Sequence, residues 1–198
     1  MANLLVFDTE TTGIASECQI LTAFFLITNK NFEELGTLNL SIVSDRYIVE
    51  PEALRVNKID LTQHTGVTFK EAGTLLYSFL VTHSLNGAEK LIPVGHNVYF
   101  DIRKVTEQIV SKRTWDQFVE HRSIDTASLA QTLQLAGIIP QDQKCSLGKL
   151  RQYLGCMYHP DLEHNAEEDV YGTRDILQVM VELISVPVKL TEAHYGLG

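Results

Sequence analysis

Leu4-Leu5-Val6-Phe7-Asp8-Thr9-Glu10-Thr11-Thr12-Gly13 begins with four apolar residues, then alternates acid with threonine, and closes on a turn glycine. An unbroken apolar run suits a buried strand, and the two-residue period of a strand sends Asp8 and Glu10 out of the same face. Two carboxylates held side by side raise each other's pKa, and a divalent cation, which takes oxygen ligands readily, relieves that repulsion. The same Asp-x-Glu pattern also occurs as a solvated turn edge, so the pair by itself leaves both readings open.

Working outward, Ile20 to Thr28 and Phe32 to Val43 read as two further strands neighbouring the first. A helical pattern then runs through Ala53, Val56 and Ile59, and a longer one covers Phe69 to Leu80. Leu91 to Val94 is a short apolar strand. It feeds a helix with Val98, Ile102, Val105 and Ile109 on one face and Asn97 placed to cap its start. Asp125 is expected to cap the next helix, with Leu129, Leu133 and Leu135 at buried positions, and Leu147, Leu150 and Leu154 mark a short helix ended by Gly155. The last helix starts near Asn165, with Asn165 and Glu168 at capping-box spacing, and is expected to bury Val170, Thr173, Leu177, Met180 and Ile184. Strands first, then strand and helix in alternation, predict an α/β fold with a mixed β-sheet flanked by helices. We read a single domain over residues 1–185 and a C-terminal tail over 186–198.

Composition narrows the function classes. With 198 residues and 44% hydrophobic content there is enough chain for one well-buried core. The net charge of -9 argues against the broad basic face with which sequence-independent duplex binders neutralise many phosphates. An enzyme that grips a few terminal nucleotides can instead draw positive charge from bound divalent ions, and surplus carboxylates then fit. Cys18, Cys145 and Cys156 are odd in number and lack Cys-x-x-Cys spacing, which points to a reducing, cytoplasmic setting. The opening residues carry no basic, apolar leader, so neither export nor a membrane is expected.

Two further stretches join the first. Gly95-His96-Asn97-Val98-Tyr99-Phe100-Asp101 puts an aspartate on the first turn of a helix that follows a strand, bordering the face that packs on the sheet. An acid in a first turn also serves the helix dipole, which is its commoner use. His164-Asn-Ala-Glu-Glu-Asp169 sets a histidine just outside, and an aspartate just inside, the start of the last helix. Lys149 and Arg151 read as a solvated basic edge, with upstream phosphates as the rival reading.

In this order and at these intervals the three stretches resemble the motifs of the DEDDh, or DnaQ-like, family of 3′–5′ exonucleases, and the resemblance covers the chain from Leu5 to beyond Asp169. It implies a ribonuclease H-like fold in which Asp8, Glu10, Asp101 and Asp169 hold two Mg²⁺ or Mn²⁺ ions and His164 is the general base. It further implies that Thr11 contacts the terminal sugar or its 3′ hydroxyl, that Ile14 and Ile59 press on the terminal bases unless they are simply core residues, and that Asn97 touches substrate unless it only caps its helix. The substrate class is the 3′ end of a nucleic acid. The motifs do not separate DNA from RNA, since ribonuclease T and oligoribonuclease share the chemistry. The first motif, with Thr11 and Thr12, is similar to that of proofreading exonucleases such as the epsilon subunit of bacterial replicative polymerases, and this favours DNA and admits a polymerase or replication partner. A binding module that kept the fold and lost the chemistry is the rival from another class, and the filled catalytic positions count against it.

Overall fold

The structure, a computed structural model, describes residues 2–85, 87–157, 159 and 165–185; the expected tail at 186–198 lies outside the described residues. Its strands are β1 (Leu4–Thr11), β2 (Ile20–Thr28), β3 (Glu34–Val43), β4 (Val67–Thr68), β5 (Ile92–Gly95) and β6 (Ile124–Asp125). Its helices are α1 (Pro51–Asn57), α2 (Phe69–His83), α3 (Val98–Gln108), α4 (Lys112–Phe118), α5 (Thr126–Leu135), α6 (Leu147–Leu154) and α7 (Ala166–Ile184). The strands form one six-stranded sheet in the order β4-β3-β2-β1-β5-β6. β1 pairs antiparallel with β2 and parallel with β5, and β2 pairs antiparallel with β3. This is the mixed sheet flanked by helices of the ribonuclease H-like fold.

The alternation along β1 decides where the chemistry sits. Leu5 and Phe7 point into an apolar cluster with Phe25, Leu76, Val105 and Trp115, so α2, α3 and α4 cover that face. Leu4 and Val6 point the other way, against Leu26, Val170 and Leu177, the face covered by α7. Asp8 and Glu10 continue the second series, so the carboxylates leave the strand on the side where α7 begins. A third cluster, with Ala130, Leu133, Leu150, Ile176 and Met180, locks α5 and α6 onto α7.

Several expectations need correction. β3 starts at Glu34 rather than Phe32, because the side chain of Asn29 accepts hydrogen bonds from the backbone of Asn31 (2.8 Å) and Glu33 (3.1 Å), closing a turn that leaves Phe32 at a φ of 65°. α1 ends at Asn57, with Lys58 at a left-handed φ of 58°, so Ile59 lies past the helix. Leu135 is 83% exposed: two residues on from Leu133 it is turned by roughly 200°, at about 100° per residue, and cannot share that face. Ile184 is 50% exposed because, as the last residue of α7, it lies beyond Met180, where the third cluster ends. Asn97 takes the cap position of α3 but its side chain makes no capping bond; its φ of 64° turns its backbone N–H toward the Asp125 carboxylate instead (2.8 Å). Among the described residues no helix is long and apolar enough to cross a membrane.

Candidate active site

β5 pairs with β1 only from Leu4 to Val6, so among the described residues the edge of β1 beyond that point lacks a strand partner on this side. The first turn of α3 takes its place. The Asp101 carboxylate, 3% exposed, accepts the backbone N–H of Thr9 at 3.0 Å and the Thr9 hydroxyl at 2.6 Å through the same oxygen. The turn from β5 into α3 is tight enough that a Cβ on Gly95 would lie 2.8 Å from the Val98 side chain, which accounts for a glycine there.

Asp8, Glu10 and Asp169 offer carboxylate oxygens that all lie within 4.8 Å of one another. Asp169 arrives there because Asn165 caps α7, accepting from the backbone N–H groups of Glu167 (3.1 Å) and Glu168 (3.4 Å). The reciprocal half of the expected capping box is not made, since the Glu168 carboxylate bonds Arg151. His164 lies outside the described residues.

Burial, followed by the charges of Asp101, Glu10 and Asp169, holds the Asp8 carboxyl well above the usual carboxylate range. Burial is also the main cause for Glu10, pushed to about 8 with help from Asp169 and Asp101, while a hydrogen bond from Asn57 pulls it back. Asp101 is raised by burial to about 7, and its two bonds from Thr9 limit the rise.

These shifts carry a prediction for the metal-free protein. Glu10 and Asp101 titrate near 4 in the unfolded chain and near 8 and 7 when folded, so between those values the folded state holds more protons. Stability should be greatest below the unfolded pKa and fall as pH rises through the folded ones. Thermal melts in chelator are expected to drop in midpoint from about pH 5 to about pH 8, and Mn²⁺ should abolish the drop. A midpoint that climbs over that range without metal would contradict the electrostatics described.

The acidic group lies between two clefts. The first, about 360 Å³, is lined by Glu10, Thr11, Ile14, Val56, Asn57 and Phe100 among others. The second, about 240 Å³, is bounded by Asp8 and Asp169 together with His96, Asn97, Ser146 and Gly148. Ile14 is 75% exposed at the rim of the first, and Asn97 is in the second. Among the described residues Ile59 lines neither, and α1 presents Val56 instead.

Several contributors escaped the sequence reading. Asn57 is buried, donates to the carbonyl of Thr11 (3.0 Å) and accepts from the backbone of Ile59 (3.2 Å), so it ties the floor of the first cleft to β1 one residue beyond Glu10, whose pKa its amide lowers. Lys104 is fully buried and donates to the carbonyls of Ala15 and Cys18 (2.8 Å), while Glu50 accepts from the backbone of Ile14 (2.8 Å); together they fix the loop that carries Ile14. No local pattern marks such residues, since each acts on a segment remote in sequence. Arg151 corrects the expectation of a solvated basic edge: its side chain is 3% exposed and paired with Glu168 at 2.6 Å. Lys149 is exposed, as expected.

No family model matches this chain, and no curated protein matches it. Solved structures do. An exonuclease I structure superposes with a TM-score of 0.73 at 16% identity over 92% of this chain and 41% of its own. E. coli exonuclease I in complex with a dT13 oligonucleotide gives 0.73 at 16% identity over 90% and 41%. An exonuclease I/SSB-Ct complex gives 0.72 at 16% identity over 92% and 41%. The chain thus spans 41% of the length of each of these three structures, and what it shares with them is the fold.

Proposed function

We propose that this chain is a metal-dependent 3′–5′ exonuclease that removes nucleoside 5′-monophosphates from single-stranded or frayed DNA ends. The observation that carries the proposal is the convergence of Asp8, Glu10 and Asp169 beside an apolar cleft, with Asp101 close enough to raise the Asp8 pKa. Crowded, partly desolvated carboxylates fit a hard divalent cation, because an all-oxygen donor set suits Mg²⁺ or Mn²⁺ and the positive charge removes the repulsion that otherwise favours protonation. Two such ions would stabilise the entering and leaving oxygens of an in-line displacement at phosphorus.

The residues divide the remaining work. Asp8, Glu10 and Asp169 supply ligand oxygens; Asp101 stands outside that group of three with one oxygen held by Thr9, and its other oxygen is the one it would offer. His164 takes the proton of the attacking water, a task suited to a group with an ordinary pKa near 6.5. The first cleft receives the terminal nucleotide, with Thr11 toward its sugar and Ile14, Val56 and Phe100 against its base. The DNA oligonucleotide bound by the matching exonuclease I supports a DNA substrate, as does the likeness of the Thr11-Thr12 motif to proofreading exonucleases. The SSB-Ct complex of another match supports a protein partner.

The test uses 5′-labelled single-stranded DNA, duplex DNA and RNA, each with Mg²⁺, Mn²⁺ or chelator. A ladder shortening one nucleotide at a time from the 3′ end is expected on single-stranded DNA with either metal, and none with chelator. Internal cuts, or activity that survives chelation, would defeat the proposal; faster loss of RNA would move the substrate to RNA.

A further inference from the structure

Glu168 precedes Asp169 on α7, and its side chain turns away from the acidic group toward α6. There Arg151 donates from Nη2 to Glu168 Oε1 (2.6 Å), from Nη1 to the Glu168 carbonyl (3.4 Å) and from Nε to the Met157 carbonyl (2.9 Å), with Nη2 also bonded to Met157. One planar guanidinium therefore ties together α6, the chain leaving it and the first turn of α7. Gly172, one turn beyond Glu168, provides the space: a Cβ there would lie 2.6, 2.7 and 2.8 Å from Cδ, Nε and Cζ of Arg151. A buried ion pair contributes little net stability relative to apolar residues of the same shape, because both charges lose their hydration. A forked donor seated in a notch does impose one geometry on the turn it grips.

We propose that Arg151 is a positioning residue: by gripping Glu168 in the notch at Gly172, it sets the rotation and height of the first turn of α7 and so keeps Asp169 in register with Asp8 and Glu10. The proposal rests on the exonuclease reading above. Neighbouring residues of a helix are related by about 100° and 1.5 Å, so a small slip at Glu168 passes directly to Asp169. Metal-binding constellations tolerate displacements of only about 0.5 Å.

Two variants test it without removing a proposed ligand. Arg151→Lys keeps the charge and loses the fork. Gly172→Ala keeps both charges, fills the notch and replaces a poor helix former with the best one. Each is expected to lower kcat for Mg²⁺-dependent release of 3′ nucleotides by roughly 10–100-fold and to weaken calorimetric Mn²⁺ binding by a similar factor, the scale seen when residues orienting metal ligands are removed. KM for a single-stranded oligonucleotide should stay within about threefold, because the first cleft is lined by other elements. Glu168→Gln, which keeps an oxygen for the same N–H, should recover most of what Glu168→Ala loses. Folded variants with wild-type kcat and Mn²⁺ affinity would overturn the role of Arg151 and leave the exonuclease standing. So would losses that follow the melting midpoint rather than Mn²⁺ affinity. A wild-type protein that neither shortens DNA nor takes up Mn²⁺ would remove the exonuclease reading and this proposal together.

Discussion

Replacing Asp169 with asparagine is expected to lower the Mg²⁺-dependent rate beyond the roughly 10²–10⁴-fold scale of a lost general base, and to raise the melting temperature of the metal-free protein. Both effects have one cause. The carboxylate oxygens of Asp8, Glu10 and Asp169 lie within 4.8 Å of one another, and the Asp169 charge raises the pKa of both neighbours. Asparagine has nearly the same shape and removes one negative charge, so repulsion inside the empty cluster falls. The same change withdraws an anionic ligand, so divalent ions bind more weakly and the catalytic geometry is lost. Melts of the wild type and Asp169→Asn, each in chelator and in Mn²⁺, together with single-turnover rates, separate the two effects. Full activity in the variant would remove Asp169 from the site. A lower metal-free midpoint would mean that the carboxylates are not in conflict as described.

His164→Ala is expected to lose roughly 10²–10⁴-fold in turnover while Mn²⁺ binding and KM for DNA remain near wild type, because a general base acts on the attacking water and holds neither metal nor substrate. Asn165, the cap of α7, is its chain neighbour, so the substitution falls just before the helix and leaves the cap itself in place. The acid limb of the wild-type pH–rate profile should reflect a group of pKa near 6.5 and should disappear in the variant. Unchanged turnover would assign the proton transfer elsewhere.

What could be read in advance was what local periodicity encodes. β1 and β2 are marked by their dense apolar runs, and the face shared by Asp8 and Glu10 follows from the two-residue period of a strand. α7 is long enough, at 19 residues, for its buried positions to repeat unmistakably. α4 has only 7 residues, too few turns for a stripe to form, although it delivers Trp115 and Phe118 to the core. Asn97 looked like a helix cap because only the folded chain brings the Asp125 carboxylate to its backbone N–H. Arg151 looked solvated because its partners Met157 and Glu168 meet it only after α6 packs on α7. The nearness of Asp169 to β1 is likewise tertiary: the sequence supplies the residue, and the packing of Val170 and Leu177 against Leu4 and Val6 places it.

The strict alternation along β1 also governs what happens to mistakes. Sliding the strand by one residue against β2 would carry Asp8 and Glu10 into the layer occupied by Phe25 and Trp115, and would expel Phe7 to the opposite side. Such a chain would have to desolvate two acids among aromatic rings, a cost that opposes the slipped register. Register is therefore self-checking: the pairing that fills the core with Phe7 is also the one that sends both acids to their common side.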